Sequence, residues 1–360
     1  MRSSSVTAVS SMPSATSPTS ATDWVASLSP WPEEFGLDRM RSLLERLGNP
    51  QNAYRAIHVV GTNGKSTATR TIAELLRQEG LSAGAYTSPH VSGWHERLDC
   101  DPASFERAVA RIRDAAEELE ATQFEALTAA ALVDFGERDV EVAVVEAGLG
   151  GRLDATNVVD AEVVLLTNVA LEHTDVLGET REEIAREKLA VAHAARVVVR
   201  SDNEFDELIP GAPELVEGGT REAAEAFLGR AIERDARVEL PGRLEHRGGE
   251  IWDGAHTPEA VDWLLARIPV HDYALCVSLL GDKRVDEVLE HLGKAGSTLV
   301  ATRSSNPRAL PAKELAARAE AHFSEVHAIP NPKKALTRAR ETGRPVIVTG
   351  SLYLLADLYA

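Results

Sequence analysis

"IHVVGTNGKSTATRTIAELL", residues 57–76, decides the fold class. An apolar run ends at Val59 and Val60, a turn bounded by Gly61 and Gly64 follows, and Ala68, Ile72, Leu75 and Leu76 then recur at helix spacing. That order predicts a buried strand, a loop and a helix beginning near Lys65. The usual phosphate-loop pattern places a glycine five positions before the Gly-Lys pair, and Val59 stands there instead. What remains is a shorter loop, Gly61-Thr62-Asn63-Gly64-Lys65-Ser66-Thr67. Its chemistry still suits phosphate. Free N–H groups at a helix start attract anions, Lys65 adds a mobile positive charge, and Ser66 or Thr67 offers a hydroxyl to a phosphate-bound Mg²⁺. The competing reading is a sharp strand-to-helix corner with an exposed lysine.

Composition narrows the class. A chain of 360 residues with 44% hydrophobic and 26% charged residues can bury two domain cores. Its formal net charge of −18 argues against broad binding to nucleic acid or to anionic membranes. It leaves room for an anionic ligand held by a local loop and a metal. Cys100 and Cys276 are far apart and lack metal-type spacing, so no disulfide framework is expected and a reducing cytoplasm fits. Residues 1–22, rich in Ser, Thr, Ala and Pro, are expected to be a disordered tail without the apolar core of a secretion signal. No run is long and apolar enough to span a membrane.

Beyond the opening loop, short β runs alternate with helical patterns. "VEVAVVEAG", "AEVVLLTNV" and "ARVVVR" have the composition of strands buried on both faces, and "REEIAREKLAVAHA" that of a crossover helix. A Gly-rich break around "DARVELPGRLEHRGGEIWDG" precedes renewed alternation: "YALCVSLLG", "GSTLVATR" and "RPVIVTGS" as strands, "TPEAVDWLLARI" and "PAKELAARAEAHF" as helices. Two three-layer α/β domains are therefore expected, 23–240 and 241–360.

Ligands of open parallel sheets sit at the carboxyl ends of strands, so the residues there carry the chemistry. Glu146 follows one strand and could hold the Mg²⁺ of a nucleotide, or simply end the strand in solvent. Glu172, His173 and Asp175 cluster after the next strand, as a metal or proton-transfer site or as a charged loop. Lys188, on the crossover helix, reads by itself as a surface or salt-bridging lysine. Asp253 and His256 lie between a short strand and a helix that Thr257 caps and Pro258 opens.

Taken in order, "AIHVVGTNGKST", "AYTSPHVSGWHERL", "EAGLGGRLDATNVV", "LEHTDVLGETREEIAREK", "PGRLE", "DGAHTPEA" and "VTGSLYLLADL" resemble the Mur ligase superfamily, most closely its folate branch. The resemblance implies an N-terminal P-loop ATPase-like domain and a smaller C-terminal Rossmann-like domain. It implies an ATP-dependent ligase that activates a pteroate or folate carboxylate as an acyl phosphate and joins it to the amine of L-glutamate. In that pattern Gly61 to Thr67, Arg243 and Asp253 meet ATP. Thr67, Ser88, Glu146 and His173 hold two Mg²⁺ ions together with Lys188 in a carbamylated form, and His256 lies near the reaction centre. Thr122, Gln123, Phe124 and Glu125, with Leu153, Asp154 and Ala155, match the pterin-binding stretches. The expected partners are dihydropteroate or a reduced folate and L-glutamate, without nucleic acid or membrane, and the chain is expected to be a monomer. The alternatives are a Mur-type ligase for another carboxylate and a degenerate nucleotide-binding regulator. Four features depart from the family pattern: Gly-Lys-Ser-Thr in the loop, Glu172 before His173, Thr257 after His256, and Glu222 within a shortened segment at about 201–240.

Overall fold

The computed structural model describes residues 20–359. Six strands form the first sheet: β1 (Arg55–Val60), β2 (Ala83–Tyr86), β3 (Val142–Glu146), β4 (Val163–Leu166), β5 (Val197–Arg200) and β6 (Glu214–Glu217). Their order is β2-β3-β1-β4-β5-β6, with every pairing parallel. The second sheet holds β7 (Glu245–Arg247), β8 (Glu250–Trp252), β9 (Ala274–Val277), β10 (Thr298–Ala301), β11 (Glu325–Ala328) and β12 (Val346–Thr349). They lie in the order β11-β10-β9-β12-β8-β7, and the β7–β8 hairpin is antiparallel.

Alternation of side chains across each strand builds the layers. On β1, Ile57 and Val59 join Ile72 and Leu76 on one side, while Ala56 and Val60 join Leu127 and Phe135 on the other. On β9, Leu275 and Val277 face one helical layer, and Ala274 and Cys276 face its opposite. Both sheets are thus covered on both faces, which is why their central strands are unbroken apolar runs. The predicted helix starts at Lys65 and runs to Gln78, and Thr257 caps the helix Pro258–Leu265 by accepting from Ala260 N.

The tail expected over residues 1–22 lies outside the described residues as far as position 19. Its end is corrected by the structure. Ser20 Oγ accepts from Asp23 N at 3.1 Å and caps the helix Ala21–Ser27. Trp24 and Val25 are buried, and the Trp24 indole donates to Glu117 at 2.7 Å. Two large apolar residues and an N-cap outweigh the Ser/Ala composition of this stretch.

Topology then sets the site. Strand β1 lies between β3 and β4, so the chains leaving the three strands diverge around one crevice at their carboxyl ends. Ala147 N donates to Val59 O at 3.0 Å and Thr167 N to Val60 O at 2.9 Å, which ties all three exits together. In the second sheet the corresponding ends are those of β8, β9 and β12. Val91, from the segment after β2, packs into the second unit's core with Trp252 and Leu355.

Candidate active site

The loop after β1 is shaped by the end of β4. Thr62 N donates to Asn168 O at 3.0 Å and Asn63 N to Asn168 Oδ1 at 3.1 Å, while Thr167 Oγ1 donates to Asn63 O at 2.8 Å. These bonds decide which amides of the loop are free. Thr62 and Asn63 spend theirs on Asn168. Among the described residues, the amides of Gly64, Lys65, Ser66 and Thr67 have no partner, so the anion-binding end begins at Gly64. Gly61 has φ +141° and a Cβ there would lie 2.0 Å from Thr167 Oγ1, so only glycine fits. Lys65 Nζ folds back onto Gly61 O at 2.9 Å and Thr62 O at 3.2 Å, and makes no ion pair among the described residues.

Beneath the loop stands Glu146, 2% exposed, which rules out a solvated strand end. Its carboxylate accepts from Ser66 Oγ at 3.1 Å and from Ser88 N at 2.9 Å. Burial raises its pKa, opposed by Lys65, by the Ser88 and Ser66 bonds and by Arg243 of the other domain. A buried carboxylate beside a hydroxyl and a helix start suits a hard, oxygen-seeking cation that keeps its remaining positions for phosphate and water. No three His, Cys, Asp or Glu residues converge on a cage among the described residues. Mg²⁺ bound chiefly through nucleotide phosphates fits that donor set.

Lys188 is not on the surface. It is 1% exposed, and its Nζ donates to Glu172 Oε1 at 2.7 Å and to Gly61 O at 3.1 Å. Burial lowers its pKa against the opposing pull of Glu172. Burial acting alone would raise the Glu172 pKa, but Lys188 and Lys65 bring it below the usual value. The close approach depends on Gly151, where a Cβ would lie 2.6 Å from Lys188 O and 2.7 Å from Glu187 O. Sequence reading placed Glu172 in a charged cluster without seeing that it reaches Lys188. Asp175 is exposed in the short helix Thr174–Leu177. His173 takes the left-handed conformation, φ 46°, at the start of that helix. Desolvation lowers its pKa, and Lys283 from the second domain adds to the effect.

Across the cleft, Asp253 is buried and accepts from Leu244 N at 2.7 Å and Ala255 N at 2.8 Å, fixing the turn that carries Arg243. Arg243 makes no ion pair among the described residues, and its longest-reaching bonds are 3.4 and 3.5 Å to Pro241 O and Gly242 O. Its guanidinium pKa is lowered by burial, with Glu146 and Asp253 opposing. His256 Nδ1 lies 2.8 Å from Gly254 O, which can only accept, so the proton sits on Nδ1 and Nε2 keeps its lone pair. Burial holds this imidazole below its usual pKa, and Lys283 and Arg243 act the same way. Lys283 thus faces both His173 and His256. It follows β9, so the strand-end rule applied to "SLLGDK" would have found it.

The pterin candidates divide. Thr122 and Glu125 form a capping box: Glu125 Oε2 accepts from Thr122 N and Oγ1, both at 2.8 Å, and Glu125 is paired with Arg39 at 2.9 Å. Gln123 Nε2 donates to Val25 O at 3.0 Å. The polar groups of these three residues are engaged in holding the helix Gln123–Glu137 and the segment before it. Asp154 is buried as well, accepting from Leu149 N at 2.7 Å and Thr156 Oγ1 at 2.5 Å, and Ala155 is buried beside it. Phe124 and Leu153 remain. The Phe124 ring lies where a Cβ on Gly148 would meet it at 2.4 Å and packs on Tyr86 with centroids 6.0 Å apart, while Leu153 is 45% exposed.

In the shortened segment, Glu222 turns back on its own helix, Thr220–Leu228, and its Oε2 accepts from Gly219 N at 2.6 Å. That carboxylate is directed at the start of its own helix. Glu222→Asn is therefore expected to leave the KM for ATP within about twofold and to cost roughly 0.5–1 kcal/mol of stability, read by denaturant unfolding. A large fall in that KM would show that Glu222 faces the nucleotide.

Two family models match the chain: the Mur ligase middle domain over residues 59–237 and the Mur ligase glutamate ligase domain over 242–352. The folylpolyglutamate synthase of Lacticaseibacillus casei is 30% identical, with 88% of this chain and 92% of that protein aligned. The dihydrofolate synthase/folylpolyglutamate synthase of Mycobacterium tuberculosis is also 30% identical, over 81% of this chain and 80% of the relative.

The chain belongs to the folate branch of the Mur ligase superfamily.

Solved Mur ligase structures agree. The E. coli FolC complex with DHPP and ADP superposes with a TM-score of 0.84 at 26% identity, covering 94% of this chain and 97% of the other. The M. tuberculosis folylpolyglutamate synthase complex with ADP has the same TM-score, identity and coverage. The two-sheet α/β architecture is thus that of this Mur ligase branch. Among the described residues no helix is long and apolar enough to cross a membrane.

Proposed function

We propose that the chain is an ATP-dependent ligase that forms an amide between a pteroate or folate carboxylate and the amine of L-glutamate. One observation carries the reading. Lys65 of the first domain and Arg243 of the second both act on buried Glu146, and neither has a carboxylate ion pair among the described residues. In a chain of net charge −18, unpaired cations converging from two domains make a site for a polyanion. The relatives' names and their ADP complexes supply the substrate class.

A carboxylate and an amine do not condense readily in water. In this reading a carboxylate oxygen attacks the γ-phosphorus of ATP and ADP leaves, giving an acyl phosphate. The glutamate amine then adds to the acyl carbon, and the tetrahedral species expels phosphate as the amide forms. The amides from Gly64 to Thr67 and the Lys65 ammonium hold the phosphates in line, and Arg243 closes on them from the other domain. Ser88, Glu146, Thr67, His173 and a carbamylated Lys188 would hold two Mg²⁺ ions, whose contribution is to neutralise the transferring phosphoryl group. Nε2 of neutral His256 is placed to accept the proton released when the amine attacks. Asp253 positions Arg243 by holding the turn that carries it. Phe124 and Leu153 offer apolar surface to the pterin, framed by Thr122, Gln123, Glu125, Asp154 and Ala155. The working unit is a cytoplasmic monomer whose two domains, 23–240 and 241–360, close to exclude water.

Phosphate release from ATP with Mg²⁺ and L-glutamate tests the assignment. Release is expected to require glutamate together with dihydropteroate or tetrahydrofolate, each supplied separately to decide which one the enzyme extends. No release with either acceptor would overturn the folate reading in favour of another carboxylate.

A further inference from the structure

Arg97 is held on three sides and open on the fourth. Its Nε donates to His90 Nδ1 at 3.0 Å, its guanidinium carbon lies 5.2 Å from the Trp94 ring centroid, and its backbone carbonyl accepts from Thr87 N at 2.9 Å. His90 is fixed in turn, its ring 4.3 Å from that of Trp94. Burial, Arg97 and His95 push the His90 pKa down to about 3, so the imidazole stays neutral and its Nδ1 remains an acceptor. Among the described residues, neither Nη of Arg97 makes a hydrogen bond and the side chain has no ion pair. The edge left open is therefore the pair of Nη groups, the fork that grips a carboxylate with two parallel bonds.

Position says which carboxylate. The Arg97 carbonyl is bonded to Thr87 N, whose chain neighbours are Tyr86 and Ser88, and Ser88 N donates to Glu146 at 2.9 Å. The carboxylates acting on the guanidinium are Glu146 and Glu96, with the Tyr353 hydroxyl also near it. Glu96 is occupied: its Oε2 accepts from Val91 N at 2.9 Å, Ser92 N at 2.7 Å and Ser92 Oγ at 2.8 Å. Tyr86 packs on Phe124, Glu146 marks the phosphate end, and Tyr353 comes from the second domain just after Gly350-Ser351. Arg97 accordingly stands between the apolar surface and the phosphoryl group. A flat ring system on Phe124 whose carboxylate must reach the γ-phosphate passes this point.

We infer that the Nη edge of Arg97 binds the carboxylate of the acceptor substrate and aligns it for phosphorylation. The inference rests on the folate reading above. Glutamate, arriving with the second domain near Tyr353, is the other carboxylate within reach, and the test separates the two.

Binding of dihydropteroate and of its analogue lacking the carboxylate is measured with MgADP present, for the wild type, Arg97→Leu and Arg97→Lys. Wild type is expected to prefer dihydropteroate by about tenfold or more, the size of a charge-assisted bond pair. Arg97→Leu should abolish that preference while binding the analogue as the wild type does. Arg97→Lys, which keeps the charge without the fork, should retain only part of it. An undiminished preference in Arg97→Leu overturns the inference, as does equal weakening of both ligands in both variants, which would mark a purely structural residue. A rise confined to the KM for glutamate would assign Arg97 to that substrate instead and overturn it too. If the wild type binds neither ligand, the folate reading falls and takes this inference with it, an outcome distinct from the others.

Discussion

Replacing Lys65 with alanine is expected to cut kcat by about 10²-fold or more, since electrostatic stabilisation of a transferring group is commonly worth at least ~3 kcal/mol. In the structure the ammonium has only the carbonyls of Gly61 and Thr62 as partners, so it is not consumed by a structural ion pair. Removing it forfeits two bonds within the loop and nothing in either core. Melting should therefore change little, while single-turnover phosphoryl transfer slows. Near-wild-type turnover together with undiminished ATP affinity in a folded Lys65→Ala protein would sink the phosphate-binding reading of the loop. A variant that bound ATP weakly but turned over normally at saturation would move Lys65 from transition-state stabilisation to ground-state binding.

Which parts of this molecule could be read from sequence follows from burial. The central strands declare themselves because both faces are covered: Val-Ala-Val-Val-Glu in β3 and Val-Val-Leu-Leu in β4 leave no polar gap. The edge strands β6, Glu-Leu-Val-Glu, and β11, Glu-Val-His-Ala, are largely solvated and carry the polar residues an edge tolerates, so no apolar run marks them. Strand β2 is buried yet built from Ala83, Gly84, Ala85 and Tyr86. Its Gly84 is dictated by the Phe135 ring, which a Cβ would meet at 2.5 Å. The helix Gln123–Glu137 is buried nearly all round, so it lacks the one-sided stripe that pattern reading needs.

The candidate site shows the same division. The loop at Lys65, the cap at Thr257 and the acidic strand end at Glu146 are local patterns, and local patterns are legible. What escaped depends on non-local packing. Asn168 occupies the loop amides only because β4 lies beside β1. The carboxylate of Glu125 is spent by Arg39, 86 positions away, and by the cap it closes on Thr122. Arg97 stands out only once its neighbours are seen to leave its outer edge free.

Lys188 gives the second large effect, and its direction depends on which chemical form the enzyme uses. As an unmodified lysine, it donates from Nζ to Glu172 and braces Gly61 O, and in that role Lys188→Arg would keep the charge and much of the activity. As a carbamate it would present an anion to Mg²⁺, which arginine cannot imitate. Burial acts toward the second form: it lowers the lysine pKa against the pull of Glu172, which raises the share of the neutral amine, the species that adds CO₂. The new anion would lie near Glu172 and the buried Glu146, an arrangement that demands a divalent cation between them. Lys188→Ala is accordingly expected to lose roughly 10²-fold or more in kcat, in the range of other lost electrostatic contacts to a transferring group. Short carboxylates added to Lys188→Ala should restore part of the rate, and Lys188→Arg should stay inactive with or without them. The measurement is Mg²⁺-dependent phosphate release under saturating ATP, with bound carbamate read independently by intact-protein mass or by ¹³C NMR after ¹³CO₂ exchange. Full activity in Lys188→Arg would return the residue to the role its geometry already performs, that of a buried cation locking Glu172 against the phosphate loop.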